Sequence, residues 1–203
     1  MFLVLPGEHV PAKHVNLKLG PGLQQESTPE GDNVVVSTRA GTLQHSANNA
    51  KWWVESNARR YVPAPQEFVV GMVTGRMGEG WRVDIGAAHH ASLDALAFEA
   101  TIDSALSDPL NVIKVGSVIY ARVSLAHKDM EPELECFDAQ TRKAEGFGEL
   151  KGGFLVRCSL RMSRSLLDPH YFLLPFLGSR FPLDAAVGMN GRVWKPPTQT
   201  AGS

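Results

Sequence analysis

The chain has 203 residues, 43% of them apolar, with 20 basic and 21 acidic side chains and a net charge of −1. That length suits about one large domain or two to three small ones, and the composition is ordinary for a soluble globular protein. The near-neutral balance argues against a dedicated high-affinity nucleic-acid binder, which carries a basic surplus. The average hides a gradient: residues 1–90 carry 8 basic and 8 acidic side chains, residues 91–150 carry 5 and 11, and residues 151–203 carry 7 and 2. The asymmetry fits either different neighbours for different segments or an unevenly solvated surface.

In chain order, residues 1–62 alternate short apolar runs (FLVL, NVVVST, KWWVE, RRYV) with glycine and proline turns (LPGE, LGPG, TPEG), the pattern of a small β domain. The opening MFLVLPGEHVP has no basic segment before its apolar run and no small-residue cleavage site after it, so it reads as a strand. Adjacent Trp52 and Trp53 point to opposite faces of a strand, so at least one needs cover from elsewhere, unless each side carries a buried layer. Val62-Pro63-Ala64-Pro65 stiffens the junction, and a second domain is expected over residues 63–145.

That second part offers five candidate strands: Phe68 to Thr74, Trp81 to Ile85, Ala91 to Leu93, Ser117 to Leu125 and Glu133 to Asp138. A helix is expected near Leu93 to Leu106, closed by Asp108-Pro109. Five short strands with an intervening helix describe a barrel of the OB type. The third part, residues 146–195, holds the turn Lys151-Gly152-Gly153, a strand Phe154 to Cys158, and a helix from Ser159 to Leu167 that Asp168-Pro169 stops. A mixed apolar segment, Tyr171 to Leu177, and a hairpin around Asn190-Gly191 complete an α+β unit. Residues 196–203, rich in proline and small polar residues, are expected to be a disordered tail. The fold class is therefore mainly β with an α+β C-terminal part.

Gly188-Met189-Asn190-Gly191 has the G-x-x-G spacing by which KH domains grip single-stranded nucleic acid, the glycines letting backbone approach phosphates. In that clamp the loop joins two helices. Here both flanks, Pro182 to Val187 and Arg192 to Trp194, look like short strands, and Asn-Gly is the preferred pair of a two-residue hairpin turn. The stretch is accordingly expected to be a structural turn.

No enzymatic motif stands out: the chain has neither a G-x-S-x-G elbow nor a G-x-x-x-x-G-K-[ST] phosphate loop, and no cofactor is indicated. Cys136 and Cys158, 22 positions apart without a C-x-x-C, indicate neither a zinc site nor a disulfide scaffold, and a reducing intracellular compartment is expected. No membrane-spanning segment is seen.

Several phrases, GPGL, RAGTLQH and WWVESNARRYVP in the first part, AHKDMEPELEC in the second and GMNGRVW in the third, together resemble the S1/KH cap subunits of the eukaryotic RNA exosome. The likeness is to the family of exosome component three, or ribosomal RNA-processing protein forty, and runs in the same order along nearly the whole chain. It implies an N-terminal β domain, an S1 barrel of the OB fold and a KH-like domain. It further implies a noncatalytic subunit that sits with other S1-containing cap proteins on a ring of RNase PH-like subunits. There it would guide single-stranded RNA toward a central channel for ribosomal RNA processing, decay and surveillance in nucleus, nucleolus and cytoplasm. In such proteins the G-x-N-G element is structural and lies near the S1/KH contact, which the resemblance assigns here to Gly188, Asn190, Gly191 and Trp194. The family's KH domain continues beyond this tryptophan with a further helix, whereas this chain ends nine residues after Trp194, so the KH-like part is expected to lack its last helix.

An OB barrel binds single strands across its second and third strands and adjoining loops. The alternation Trp81, Val83, Ile85 turns Arg82 and Asp84 outward, so Arg82 is set either to meet phosphate and base or to pair with Asp84 or another acid. Arg76, in the glycine-rich stretch TGRMGEG, Lys128, in AHKDMEPE, and His89-His90 complete the candidate RNA contacts, although the histidines also suit ordinary surface positions. The acids Asp129, Glu131 and Glu133 fit a protein contact better than RNA.

Overall fold

Residues 2–11, 18–28, 32–46, 50–98, 113–127, 129–180 and 184–197 are described by the computed structural model, and the chain divides into two units, Met1–Asn57 and Ala58–Ser203. The first unit carries β1 (Phe2–Val4), β2 (His9–Val10), β3 (Lys18–Leu19), β4 (Leu23–Ser27), β5 (Asn33–Ser37), β6 (Gly41–His45) and β7 (Lys51–Glu55). They form a four-stranded sheet, β1-β6-β7-β3, and a three-stranded one, β2-β5-β4. Val4, Val10, Val35, Leu43 and Val54, one from each of five strands, make its core. Trp52, two positions from Val54 and so on the same face, packs partly against this core with the His45 ring 5.0 Å away. Trp53 takes the other face and is also half-buried.

The run Arg59 to Val62 is no strand: Tyr61 turns into the core of the second unit, where it is 2% exposed. Its hydroxyl donates to Glu67 Oε2 at 2.6 Å, and burial, reinforced by the Glu67 charge, pushes the phenol pKa well above its usual value.

In the second unit β8 (Phe68–Met77), β9 (Gly80–Asp84), β10 (Ala91–Phe98), β11 (Val118–Leu125), β12 (Glu133–Cys136) and β13 (Gly148–Leu150) form one sheet in the order β12-β10-β9-β8-β11-β13. A second pairing of β12, with β11, closes it into a barrel of the OB kind, β10 and β12 being the parallel pair. Inward residues two apart, Val69, Val73, Val83, Ile85, Leu93, Ile119, Val123 and Leu134, are almost wholly buried. Each contributes about 1.5–3 kcal/mol. Buried Arg122 ties the closing seam, bonding Gln66 Oε1 at 2.8 Å and pairing with Glu135.

The helix expected from Leu93 starts instead as strand, through Phe98; the rest of that stretch, to Leu106, lies outside the described residues. Leu-Asp-Ala-Leu-Ala has good helix formers. Pairing of Ser92 with both Arg82 and Glu133 overrides that preference, and Ala91, Leu93 and Ala97 then point inward at strand spacing.

The α+β part comprises β14 (Phe154–Arg157), α1 (Leu160–Leu167), α2 (Leu173–Gly178), β15 (Ala186–Gly188) and β16 (Arg192–Lys195), with the sheet order β14-β16-β15. Ser159 caps α1 by accepting the Met162 N–H at 3.2 Å, worth about 1 kcal/mol. Asp168, ahead of Pro169, ends the helix. Of the expected tail, residues 198–203 lie outside the described residues.

Candidate nucleic-acid interface

Gly188 and Arg192 are paired across β15 and β16, so Met189, Asn190 and Gly191 form the loop. The Gly191 N–H donates to the Gly188 carbonyl at 3.3 Å, and Gly191 has φ +73°, a tight turn followed by one left-handed residue. The loop is thus three residues long, not two, because only Gly191 takes positive φ. Both glycines are enclosed by this chain's own backbone. A Cβ on Gly188 would lie 2.6 Å from the Val70 nitrogen, and one on Gly191 would lie 2.7 Å from the Cys158 carbonyl.

The reason is visible at β8. Its partner β9 ends at the Met72–Asp84 pair, leaving Phe68 and Val70 without a strand on that side. The loop continues the ladder. The Met189 N–H donates to the Phe68 carbonyl at 2.7 Å, the Val70 N–H donates to Asn190 Oδ1 at 3.2 Å, and Asn190 Nδ2 donates to the carbonyls of Val70 at 2.8 Å and Ile85 at 2.9 Å. Asn190 is 5% exposed, so these bonds are shielded from water. Beside it, buried Arg192 donates to the Asp84 carbonyl at 2.5 Å and to Asp84 Oδ2 at 2.7 Å. Burial alone would raise the Asp84 pKa. The Arg192 guanidinium, the Gly86 N–H and His90 outweigh it and hold the carboxyl below its ordinary value. Trp194 is buried, and its indole N–H donates to the Gly152 carbonyl at 2.7 Å, pinning the turn that leads into β14.

Asp84 lies outward of the barrel core, as its alternation with Val83 and Ile85 implies, but its carboxylate pairs with Arg192 of the KH-like hairpin and not with Arg82. Arg82 is exposed and, among the described residues, makes no ion pair; its Nη2 lies 3.7 Å from Met77 Sδ. Arg76 belongs to β8 itself rather than to a loop, since β8 runs on to Met77. Its register partner is Trp81, whereas that of Arg82 is Gly75, so the two arginines leave opposite faces of the β8/β9 ribbon. His89 and His90 are exposed in the β9–β10 connection. Lys128 lies outside the described residues.

His89 has company that the sequence reading missed. With Pro63, Ala87, His127 and Met130 it lines an apolar groove of about 320 Å³, with Arg60 at its edge. The acids Glu131 and Asp129, from the same connection as Met130, are exposed and do not line it. Such a groove suits a planar base, with imidazoles to stack and a guanidinium for phosphate. Among the described residues no cluster of His, Cys, Asp and Glu is arranged to hold a metal, and no helix is long and apolar enough to cross a membrane.

An OB barrel whose open β8 edge is completed by a KH-like hairpin defines a protein of the S1/KH class. Residues 61–148 match the family described as the S1 domain of exosome complex component RRP40, residues 17–60 match the exosome complex exonuclease Rrp40 N-terminal domain, and residues 153–195 match the KH domain. The chain belongs to the Rrp40 family of exosome complex components. It is 47% identical to exosome complex component rrp40 of Schizosaccharomyces pombe, over 93% of this chain and 78% of that one. It is 36% identical to human exosome complex component RRP40, over 89% of this chain and 64% of that one. A crystal structure described as an exosome complex RNA-binding protein superposes with a TM-score of 0.55 at 25% identity, covering 68% of this chain and 76% of the other.

Proposed function

We propose that the chain is a noncatalytic cap subunit of the RNA exosome. It binds single-stranded RNA on its S1 barrel, guides it toward the central channel, and helps hold the RNase PH-like ring and its other S1-containing caps together, in nucleus, nucleolus and cytoplasm. The observation that carries this reading is the enclosure of the G-x-x-G loop. Because that loop is used to dock the KH-like part, RNA contact falls to the barrel, where Arg76, Arg82 and the His89 groove are exposed, with Lys128, which follows His127 in the sequence, as a further cation. No cofactor or small-molecule substrate enters the reading.

The test uses reconstituted exosome at fixed salt, with Arg76, Arg82 and Lys128 replaced together by glutamate. Ring assembly is expected to persist while RNA protection and channel-dependent decay fall. Wild-type protection by a fully assembled variant complex would make this chain a scaffold alone. Copurification without RNase PH-like partners would make it a free-standing RNA-binding protein.

A further inference from the structure

Behind the docked loop lies a second recess, polar where the His89 groove is apolar. Arg59, Arg157 and Arg192 border it, with Ser159 and the backbone of Gly86 and Gly191, and its volume is about 340 Å³. Arg192 is already committed to Asp84. The side chains of Arg59 and Arg157 are exposed and, among the described residues, make no hydrogen bond or ion pair. No carboxylate lines the recess, and Ser159 brings the start of α1, with its partial positive charge, to the rim. The walls are fixed: the Leu160 N–H donates to the Ala58 carbonyl at 3.1 Å, and the Cys158 N–H donates to the Gly191 carbonyl at 2.8 Å. Two unpaired guanidinium forks bordering such a hollow fit a phosphate oxygen pair.

Consecutive residues line the two recesses. Arg59 borders the polar one and Arg60 the apolar one; Gly86 borders the polar one and Ala87 the apolar one. Consecutive Cα atoms are about 3.8 Å apart, so the cationic hollow and the apolar groove begin at neighbouring residues, within reach of the phosphate and base of one nucleotide. Resting on the RNA-binding reading above, we propose that these recesses together take one nucleotide of single-stranded RNA, its phosphate between Arg59 and Arg157 and its base beside His89 and Met130. An acidic protein segment would use the cationic hollow and leave the adjoining groove without a role.

The test is photo-crosslinking of a thiouridine-containing single strand to the full chain within reconstituted exosome, with salt titration. The variants are the double substitution Arg59→Ala and Arg157→Ala and, separately, Arg82→Glu. Both mutated arginines of the pair are exposed, so assembly and melting temperature are expected to hold. Crosslinks to the segments around Arg60 and His89 should fall several-fold, and the salt slope should drop by about 0.7, the value for one phosphate on a single strand. Wild-type crosslinking by the double variant, with Arg82→Glu impaired, would overturn the nucleotide site and leave RNA binding on the barrel standing. Failure of the double variant to assemble, with RNA contact unchanged, would overturn it in favour of an acidic protein partner. Absence of any crosslink to the wild-type chain would remove both readings.

Discussion

Asn190 and Val70, 120 positions apart, exchange two hydrogen bonds, through the carboxamide of one and the backbone N–H and carbonyl of the other. The carboxamide offers one donor group and one acceptor in nearly the spacing of a backbone amide, so it stands in for a strand residue. Asn190→Ala leaves the Val70 N–H and the Val70 and Ile85 carbonyls buried without partners, at about 1–3 kcal/mol for each orphaned group. A loss of about 3 kcal/mol or more is expected in chemical denaturation. A loss below about 1 kcal/mol would show that water replaces the carboxamide.

Gly191→Asp combines a left-handed backbone with a Cβ against the Cys158 carbonyl, so it should lower the melting temperature clearly. Gly78→Ala is the control: it has φ +57° and open space, and should cost only about 1 kcal/mol. At temperatures where Gly191→Asp remains folded, RNA crosslinking to the barrel around Arg82 should persist, whereas the new carboxylate beside Arg59 and Arg157 should weaken crosslinks at their recess. An unchanged melt with lost crosslinking would instead make the loop an RNA clamp.

The Asp84–Arg192 pair makes the second unit acid-sensitive. The folded pKa of Asp84 is depressed, so the unfolded chain, with a value of about 3.9, takes up the proton first. The pair's contribution is complete well above pH 4 and declines as pH falls through 3.9 toward the folded value. Wild type should therefore melt higher than Asp84→Asn at about pH 6, and the gap should shrink at about pH 3. A gap that stays constant would mean that the carboxylate charge contributes nothing to the seam.

Thiol chemistry should separate the two cysteines. Burial pushes the Cys136 thiol far above its usual pKa, and it pushes the half-exposed Cys158 up as well. Alkylation at neutral pH should label Cys158 slowly and Cys136 only under denaturing conditions. Labelling of Cys136 in the native protein would reveal opening of the barrel at β12.

Most of the barrel is legible in the sequence because its strands alternate cleanly, as Trp81, Val83 and Ile85 do around Arg82 and Asp84. Ala91 to Phe98 is not, since its composition favours helix and only the two neighbouring strands decide otherwise. The turn at Asn190-Gly191 announces itself through glycine and asparagine. What hides is the destination of polar side chains. Nothing local tells that Asp84 turns to an arginine 108 positions away, or that Arg59 and Arg157 meet across one hollow. Arg-Arg-Tyr-Val reads as a strand because its composition says nothing of Tyr61 plugging a barrel that begins only with the next strand.

The completion of the β8 edge by Met189 and Asn190 also bears on how the protein is made. Ribosomes deliver the chain from its N-terminus, so the barrel strands emerge long before the hairpin that covers Phe68 to Val70. Until then, a valine-rich stretch with bare N–H and carbonyl groups is open to pairing with any other extended chain. The KH-like hairpin thus covers the part of the β8 edge that β9 leaves open, and a nascent or truncated chain stopping after β13 should self-associate through β8, which analytical ultracentrifugation of the truncated chain would reveal.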